Sequence, residues 1–419
     1  MTVNVSTLDS GLRITTDRME TVETVTLGAW VAVGTRHETA ELNGISHLLE
    51  HMAFKGTQRR TARAIVEEIE AVGGQVNAYT SRENTAYFAK VLKEDAPLAV
   101  DIIADILQNS VMDPVELDRE RAVVIQEIHQ ANDTPDDIIF DYFQAAAFPD
   151  QAMGRPVLGM ASLINQINRD TILDYMTSQY TPPRIVVAAA GNIDHQTFCG
   201  LAGNAFTGLT DAGAATGDST AYTGGDYRES RNLEQAHLLL GFDGLSFADA
   251  DYYALAVMST ILGGGMSSRL FQEVRENRGL AYSVYTFANN YEDGGLFGVY
   301  AGTGEQELTE LVPIVCDEIL GLSQTLTEEE VIRARAQLKA STLMALESSS
   351  ARAETLARQL QVFNRAIPTE EVITKIDEVD EAAVKKVADR IFASTPTVAA
   401  LGPIGPLESY DSIRDRLAA

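Results

Sequence analysis

Only two cysteines occur in 419 residues, Cys199 and Cys316, and no C-x-x-C pair exists. A disulfide framework is excluded, and a reducing compartment fits best. No apolar run reaches the ~18–20 residues of a membrane-spanning helix, so insertion into a bilayer is not expected. Bases are scarce: 32 Lys and Arg stand against 60 Asp and Glu, a net charge of −28. A field of that sign repels phosphate backbones and anionic lipid and attracts basic ligands. Nucleic acid and membrane are therefore not expected partners. Residues Met1 to Ser10 lack the basic and apolar regions of a secretory leader and the Arg-rich character of a transit peptide. What is present is ordinary: 45% hydrophobic and 22% charged residues, which excludes disordered, collagen-like and fibrous chains. The length suggests two or three domains at ~100–200 residues each.

The chain reads as duplicated. Thr181-Pro-Pro-Arg-Ile-Val-Val-Ala-Ala-Ala-Gly-Asn-Ile193 has a counterpart in Ser394-Thr-Pro-Thr-Val-Ala-Ala-Leu-Gly-Pro-Ile404, with Gly191 matching Gly402 and Ile193 matching Ile404. The apolar stretch 26–34 and the stretch from His237 to Phe242 open the same succession in each half. The segment from Asp113 to Arg121 resembles that from Thr327 to Arg335. Each half runs strand, helix, two strands, long helices and a late strand. That is not strict alternation, so an α+β fold is expected: two homologous domains, each a mainly antiparallel sheet packed with helices. The boundaries read as 1–208 and 228–419. The Gly-, Ala-, Thr-, Ser- and Asp-rich segment 209–227 reads as a flexible linker.

The chemistry concentrates in Gly44-Ile-Ser-His47-Leu-Leu-Glu50-His51-Met-Ala-Phe54. His47 and His51, four apart, share one face of a helix and can hold one Zn²⁺ at ~2.0–2.1 Å each. Glu50 projects to the same side, where it can act as general base toward a water polarised by the ion. Ile45, Leu48, Leu49, Met52 and Phe54 make the helix largely apolar, and ionisable groups on a buried helix are costly unless paired or metal-bound. A catalytic zinc needs a third protein ligand. The stretch from Val115 to Asn132 predicts a long helix with Glu120 and Glu127 two turns apart on one face. Either could ligate while the other orients a histidine ring.

At this point the sequence resembles the pitrilysin superfamily of zinc peptidases, and more closely the mitochondrial processing peptidase group and its bacterial relatives. The matching stretches are the run from His47 to Thr57, the run from Gly73 to Glu83, Glu120 and Glu127. They cover both halves in order. The resemblance implies that Glu127 is the third ligand and Glu120 the outer partner, with one Zn²⁺ per chain. The fold it implies is half of a clamshell.

The second half has no H-x-x-E-H; the corresponding helix, around Tyr252 to Leu262, carries Val257, Thr260 and Ile261. Its Gly263-Gly264-Gly265 run lacks the Lys-Ser/Thr of a phosphate-binding loop. The resemblance makes these glycines substrate contacts, and Arg275 and Tyr282 groups that steady the substrate carbonyl as it becomes negative. Asn77, Ala78 and Tyr79 look like an edge strand onto which a peptide is added. Phe54 matches a pocket aromatic, and Asp137 and Asp141 match acids that bind a substrate arginine. Because the zinc motif and the glycine-rich segment stand on one chain, the resemblance implies a homodimer; with no targeting segment legible, a bacterial cytoplasm is expected. The expected activity is zinc endoproteolysis of unfolded, basic, presequence-like peptides. The alternatives are a non-catalytic core subunit of the same family and dedicated processing of one biosynthetic precursor.

Overall fold

The computed structural model describes residues 3–210 and 217–418. Residues 211–216 of the expected linker lie outside these. Within the described part, residues 225–227 are not linker but open a strand, because their backbone pairs in parallel with residues 397–399.

Two sheets are built on one plan. The first has β1 (Val3–Thr7), β2 (Arg13–Arg18), β3 (Thr24–Val31), β4 (Gln75–Thr80), β5 (Thr85–Leu92) and β6 (Ile185–Gly191), in the order β1-β2-β6-β3-β5-β4. The second has β7 (Gly225–Ser230), β8 (Ala236–Asp243), β9 (Ala281–Asn290), β10 (Gly295–Thr303) and β11 (Thr397–Gly402), in the order β7-β11-β8-β10-β9. Dropping β1 makes the orders equivalent. Each sheet has one parallel pair, β2 with β6 and β7 with β11, and is otherwise antiparallel. The α+β expectation holds.

The duplicated strand endings have a common cause. Gly191 and Gly402 adopt φ of +134° and +115°, a region that side chains disfavour. A Cβ would also lie 2.3 Å from Thr24 O at the first and 2.5 Å from Gln235 O at the second. In both cases the glycine carbonyl then accepts the N–H two residues on, from Ile193 or Ile404.

The chain divides into two compact units that do not follow its halves. One comprises Met1–His129, Arg155–Asp218 and Leu343–Pro368; the other comprises Gln130–Gly154, Ser219–Thr342 and Thr369–Ala419. Each unit thus borrows a helix from the opposite half of the sequence. In the first, Ile185, Val187 and Ala189 of β6 face the main core, while Val186, Ala188 and Ala190 meet Ala353, Ala357 and Leu360 of the Ser349–Phe363 helix. In the second, Val398 and Ala400 of β11 face the main core. Ala399 and Leu401 meet the Pro135–Ala147 helix through Ile139 and Phe143. Central strands buried on both faces read as continuous apolar runs; on the first, the small Ala353 and Ala357 stand at i and i+4 of the covering helix.

Candidate metal centre

The H-x-x-E-H residues lie on the Ile45–Ala53 helix of the first unit. Its apolar face, with Ile45, Leu48, Leu49 and Met52, is fully buried in the main core. The helix start is set by a residue the sequence reading missed. The buried Glu38 carboxylate accepts the Gly44 N–H at 2.8 Å, the Ser46 N–H at 2.8 Å and the Asn43 side-chain amide at 3.1 Å. A carboxylate on the first-turn N–H groups satisfies orphan donors and complements the helix dipole. Gly44 takes φ +95°, and a Cβ there would meet Gly159 Cα at 2.8 Å; no other residue fits.

The other side of the helix holds the histidines. Their rings stand edge to face, 4.6 Å between centroids. Glu127 reaches in from the Pro114–Asn132 helix. Its Oε2 lies 3.7 Å from His47 Nε2 and 3.5 Å from His51 Nε2, and the three ligand atoms all lie within 4.8 Å of one another. Ligands at ~2.0–2.2 Å from one tetrahedral ion stand about 3.3–3.6 Å apart. Two imidazoles and a carboxylate are a donor set suited to a zinc ion, and these three residues would hold it. Burial, reinforced by His51, pulls the His47 imidazole down to about 4. It is therefore neutral near pH 7, the form that ligates.

Two turns before Glu127, Glu120 is buried and its Oε2 accepts the Nδ1–H of His51 at 3.0 Å. Of the two glutamates, Glu127 faces both Nε2 atoms and Glu120 the back of one ring. Lys55 Nζ sits 2.6 Å from Glu120 Oε1. Among the described residues His47 has no such partner; its Nδ1 is buried without a hydrogen bond there.

Glu50 is half-buried beside the cluster. Its Oε2 accepts the Thr80 hydroxyl at 2.6 Å. Burial raises its carboxyl above the usual range, against the pull of Thr80 and His51. Thr80 was not singled out in the sequence. Strand periodicity could have found it: β4 is an edge strand, and Val76 and Ala78, on the same face as Thr80, pack toward the main core. Asn77 and Tyr79 point to the opposite face, where the Tyr79 hydroxyl donates to Glu354 at 3.2 Å. Of the three expected edge residues, only Ala78 shares the face of Thr80. Phe54 caps the helix end and packs near Tyr87, 6.2 Å between ring centroids.

The remaining candidates belong to the second unit. Arg275 lies on the π-helical segment Phe271–Glu276 and Tyr282 on β9. The guanidinium stacks over both Phe271 and Tyr282, at 4.8 and 4.5 Å from the ring centroids, and donates to Tyr282 O at 2.9 Å. Tyr282 is exposed. Asp137 and Asp141 lie one turn apart on the Pro135–Ala147 helix; burial, then its acidic neighbours Asp141 and Asp136, raise the Asp137 carboxyl. Two of the three glycines have packing reasons. A Cβ on Gly263 would lie 2.5 Å from Thr286 N, and one on Gly264 would lie 2.6 Å from Thr260 Cα, whereas Gly265 borders open space.

Residues 13–161 match the model of the insulinase family (peptidase family M16), and residues 166–338 match that of the M16 inactive domain. An uncharacterised zinc protease of Streptomyces coelicolor is 40% identical, over 96% of this chain and 90% of its own length. A probable mitochondrial-processing peptidase subunit beta of Arabidopsis thaliana is also 40% identical, over 98% of this chain and 80% of its own. Among solved structures, a protease from Helicobacter pylori superposes with a TM-score of 0.88 at 22% identity, covering 96% of this chain and 99% of that one; this likeness shows the fold.

Proposed function

The chain belongs to the insulinase family of peptidases, M16, as a zinc protease of that family, and from that premise we propose a zinc endopeptidase acting on unfolded, basic peptides. The observation that carries the proposal is the set His47 Nε2, His51 Nε2 and Glu127 Oε2, converging beside the half-buried Glu50. A zinc ion held by the three residues supplies Lewis acidity to a water and to a peptide carbonyl.

The protein's own groups do the rest. Glu50, fixed by the Thr80 hydroxyl, takes the proton of the attacking water and returns it to the leaving amine. Glu120 holds the His51 ring in the tautomer that frees Nε2. We assign Arg275 and Tyr282 to the carbonyl oxygen as it gains negative charge; the support is their mutual stacking and the exposure of Tyr282. The substrate adds as a strand to β4, whose outer side is unpaired within its sheet. Asp137 and Asp141 favour an arginine in the substrate, and the net charge of −28 favours basic peptides generally. Phe54 and the glycines 263–265 complete the proposed substrate contacts. One zinc per chain, a homodimer and a bacterial cytoplasm belong to the same reading. They are supported by the single cluster among the described residues, the presence of zinc motif and glycine-rich segment on one chain, and a bacterial zinc protease relative.

The test is Glu50→Gln. It is expected to keep zinc at wild-type content and to lose cleavage of an arginine-containing peptide by about 10²-fold or more. Retained cleavage removes Glu50 from the mechanism.

A further inference from the structure

We infer that Lys55 is a positioning residue of the metal centre, acting on His51 through Glu120. The inference rests on the zinc reading proposed above. Glu120 is buried, and each of its oxygens has one partner: Oε2 the His51 ring at 3.0 Å, Oε1 the Lys55 ammonium at 2.6 Å. No other partner of this carboxylate is present among the described residues.

Lys55 follows the end of the histidine helix. Its N–H still donates to Met52 O at 3.1 Å. Two residues later, Thr57 is tied to the buried Asp105 by a 2.7 Å hydrogen bond, and Arg60 reaches the same carboxylate at 2.8 Å. The backbone that carries the ammonium is thus tied down close to His51, four residues earlier, while Glu120 arrives from another helix. Lys55 and His51 together grip the two oxygens and fix the plane of the carboxylate.

The contrast with His47 gives this grip its weight. Among the described residues His47 Nδ1 has no acceptor, so of the two imidazoles it is His51 that is oriented from behind. Without the ammonium, Oε1 becomes a buried carboxylate oxygen with no partner, which is costly. The carboxylate gains by turning toward water, and the turn takes Oε2 off the His51 ring.

Charge alone makes the opposite demand. Lys55 places a positive charge near a site for a dication, so its removal would tighten zinc binding if simple repulsion ruled. The two effects differ in sign, which makes the test decisive.

Zinc affinity is measured on chelated protein by competition with a fluorescent chelator, with the melting temperature of the metal-free protein as a check on folding. Lys55→Met is expected to weaken zinc binding about 10- to 100-fold, the range for loss of an outer partner. Lys55→Arg, which keeps charge and donors, is expected to stay close to wild type. In a Glu120→Gln background, Lys55→Met is expected to add little further loss. Unchanged or tighter binding in Lys55→Met overturns the inference, as does full additivity with Glu120→Gln. The additivity comparison also decides the matter if Lys55→Met lowers the melting temperature. A wild-type protein with no affinity for zinc would instead defeat the zinc reading itself.

Discussion

Glu50 owes its place to two neighbours of different origin: the helix that carries it and the Thr80 hydroxyl 2.6 Å from its Oε2. A hydrogen bond to a charged group contributes about 1.5–3 kcal/mol, or roughly 10- to 100-fold in rate when it orients a reacting group. Thr80→Val is isosteric and removes only the donor. It is expected to lower kcat/KM about tenfold or more with zinc content unchanged, while Thr80→Ser stays near wild type; steady-state kinetics on the two variants check this. Equal rates in Thr80→Val and wild type would leave the hydroxyl without a part in catalysis. Much at this scale was legible. His47 and His51 declare themselves by a spacing of four on an apolar helix, and the seven-residue interval between Glu120 and Glu127 placed both on one face. What spacing could not decide was which glutamate faces the rings' Nε2 atoms, since both lie on the same stripe. Glu38, Thr80 and Lys55 were not singled out, because a side chain that acts on a helix or a carboxylate from another segment leaves no period of its own.

Among the elements, β4 matters most for substrate. It stands at the edge of its sheet, paired among the described residues only with β5. The Ala78 N–H is accepted by the Asn77 side-chain oxygen at 2.9 Å, an exposed contact that an incoming strand can replace. Proline is tolerated on edge strands where no ladder bond is lost. Ala78→Pro is expected to keep zinc and the folded state and to lower kcat/KM for peptides about tenfold, through the loss of one main-chain donor to substrate. Unchanged kinetics across several peptides would argue against strand addition here. The edge itself was readable from the Gly73-Gly74 break before it: Gly73 takes φ +70°, and a Cβ on Gly74 would meet Val91 at 2.7 Å. The direction of each side chain was not resolved, since it depends on the register with β5. That register places Asn77 and Tyr79 on the face away from the zinc cluster.

At the scale of the whole chain, the duplication was plain in the sequence, down to the paired Gly191 and Gly402. The exchange of helices was not. Hydrophobic periodicity tells which face of a helix is apolar, but not which sheet will cover it. Ala353, Ala357 and Leu360 would suit either sheet; in the structure they cover Trp30, Val186 and Ala188 of the first. Ile139 and Phe143 likewise cover Leu239 and Ala399 of the second. A chain cut at the middle therefore leaves each sheet bare on one face. Residues 1–208 expressed alone are expected to lack a cooperative thermal transition, as are residues 228–419, while co-expression of the two pieces restores one; circular dichroism melts measure this. A cooperative melt from either piece alone would contradict the exchange as a determinant of folding.

The measurement that bears most directly on the zinc peptidase reading is cleavage of an unfolded, arginine-containing peptide as zinc is titrated back into chelated protein. The expected result is no cleavage at the start, a linear rise, and a break at one zinc per chain, where His47, His51 and Glu127 are filled. Cleavage undiminished by chelation, or absent from the folded protein at every zinc concentration, would contradict it.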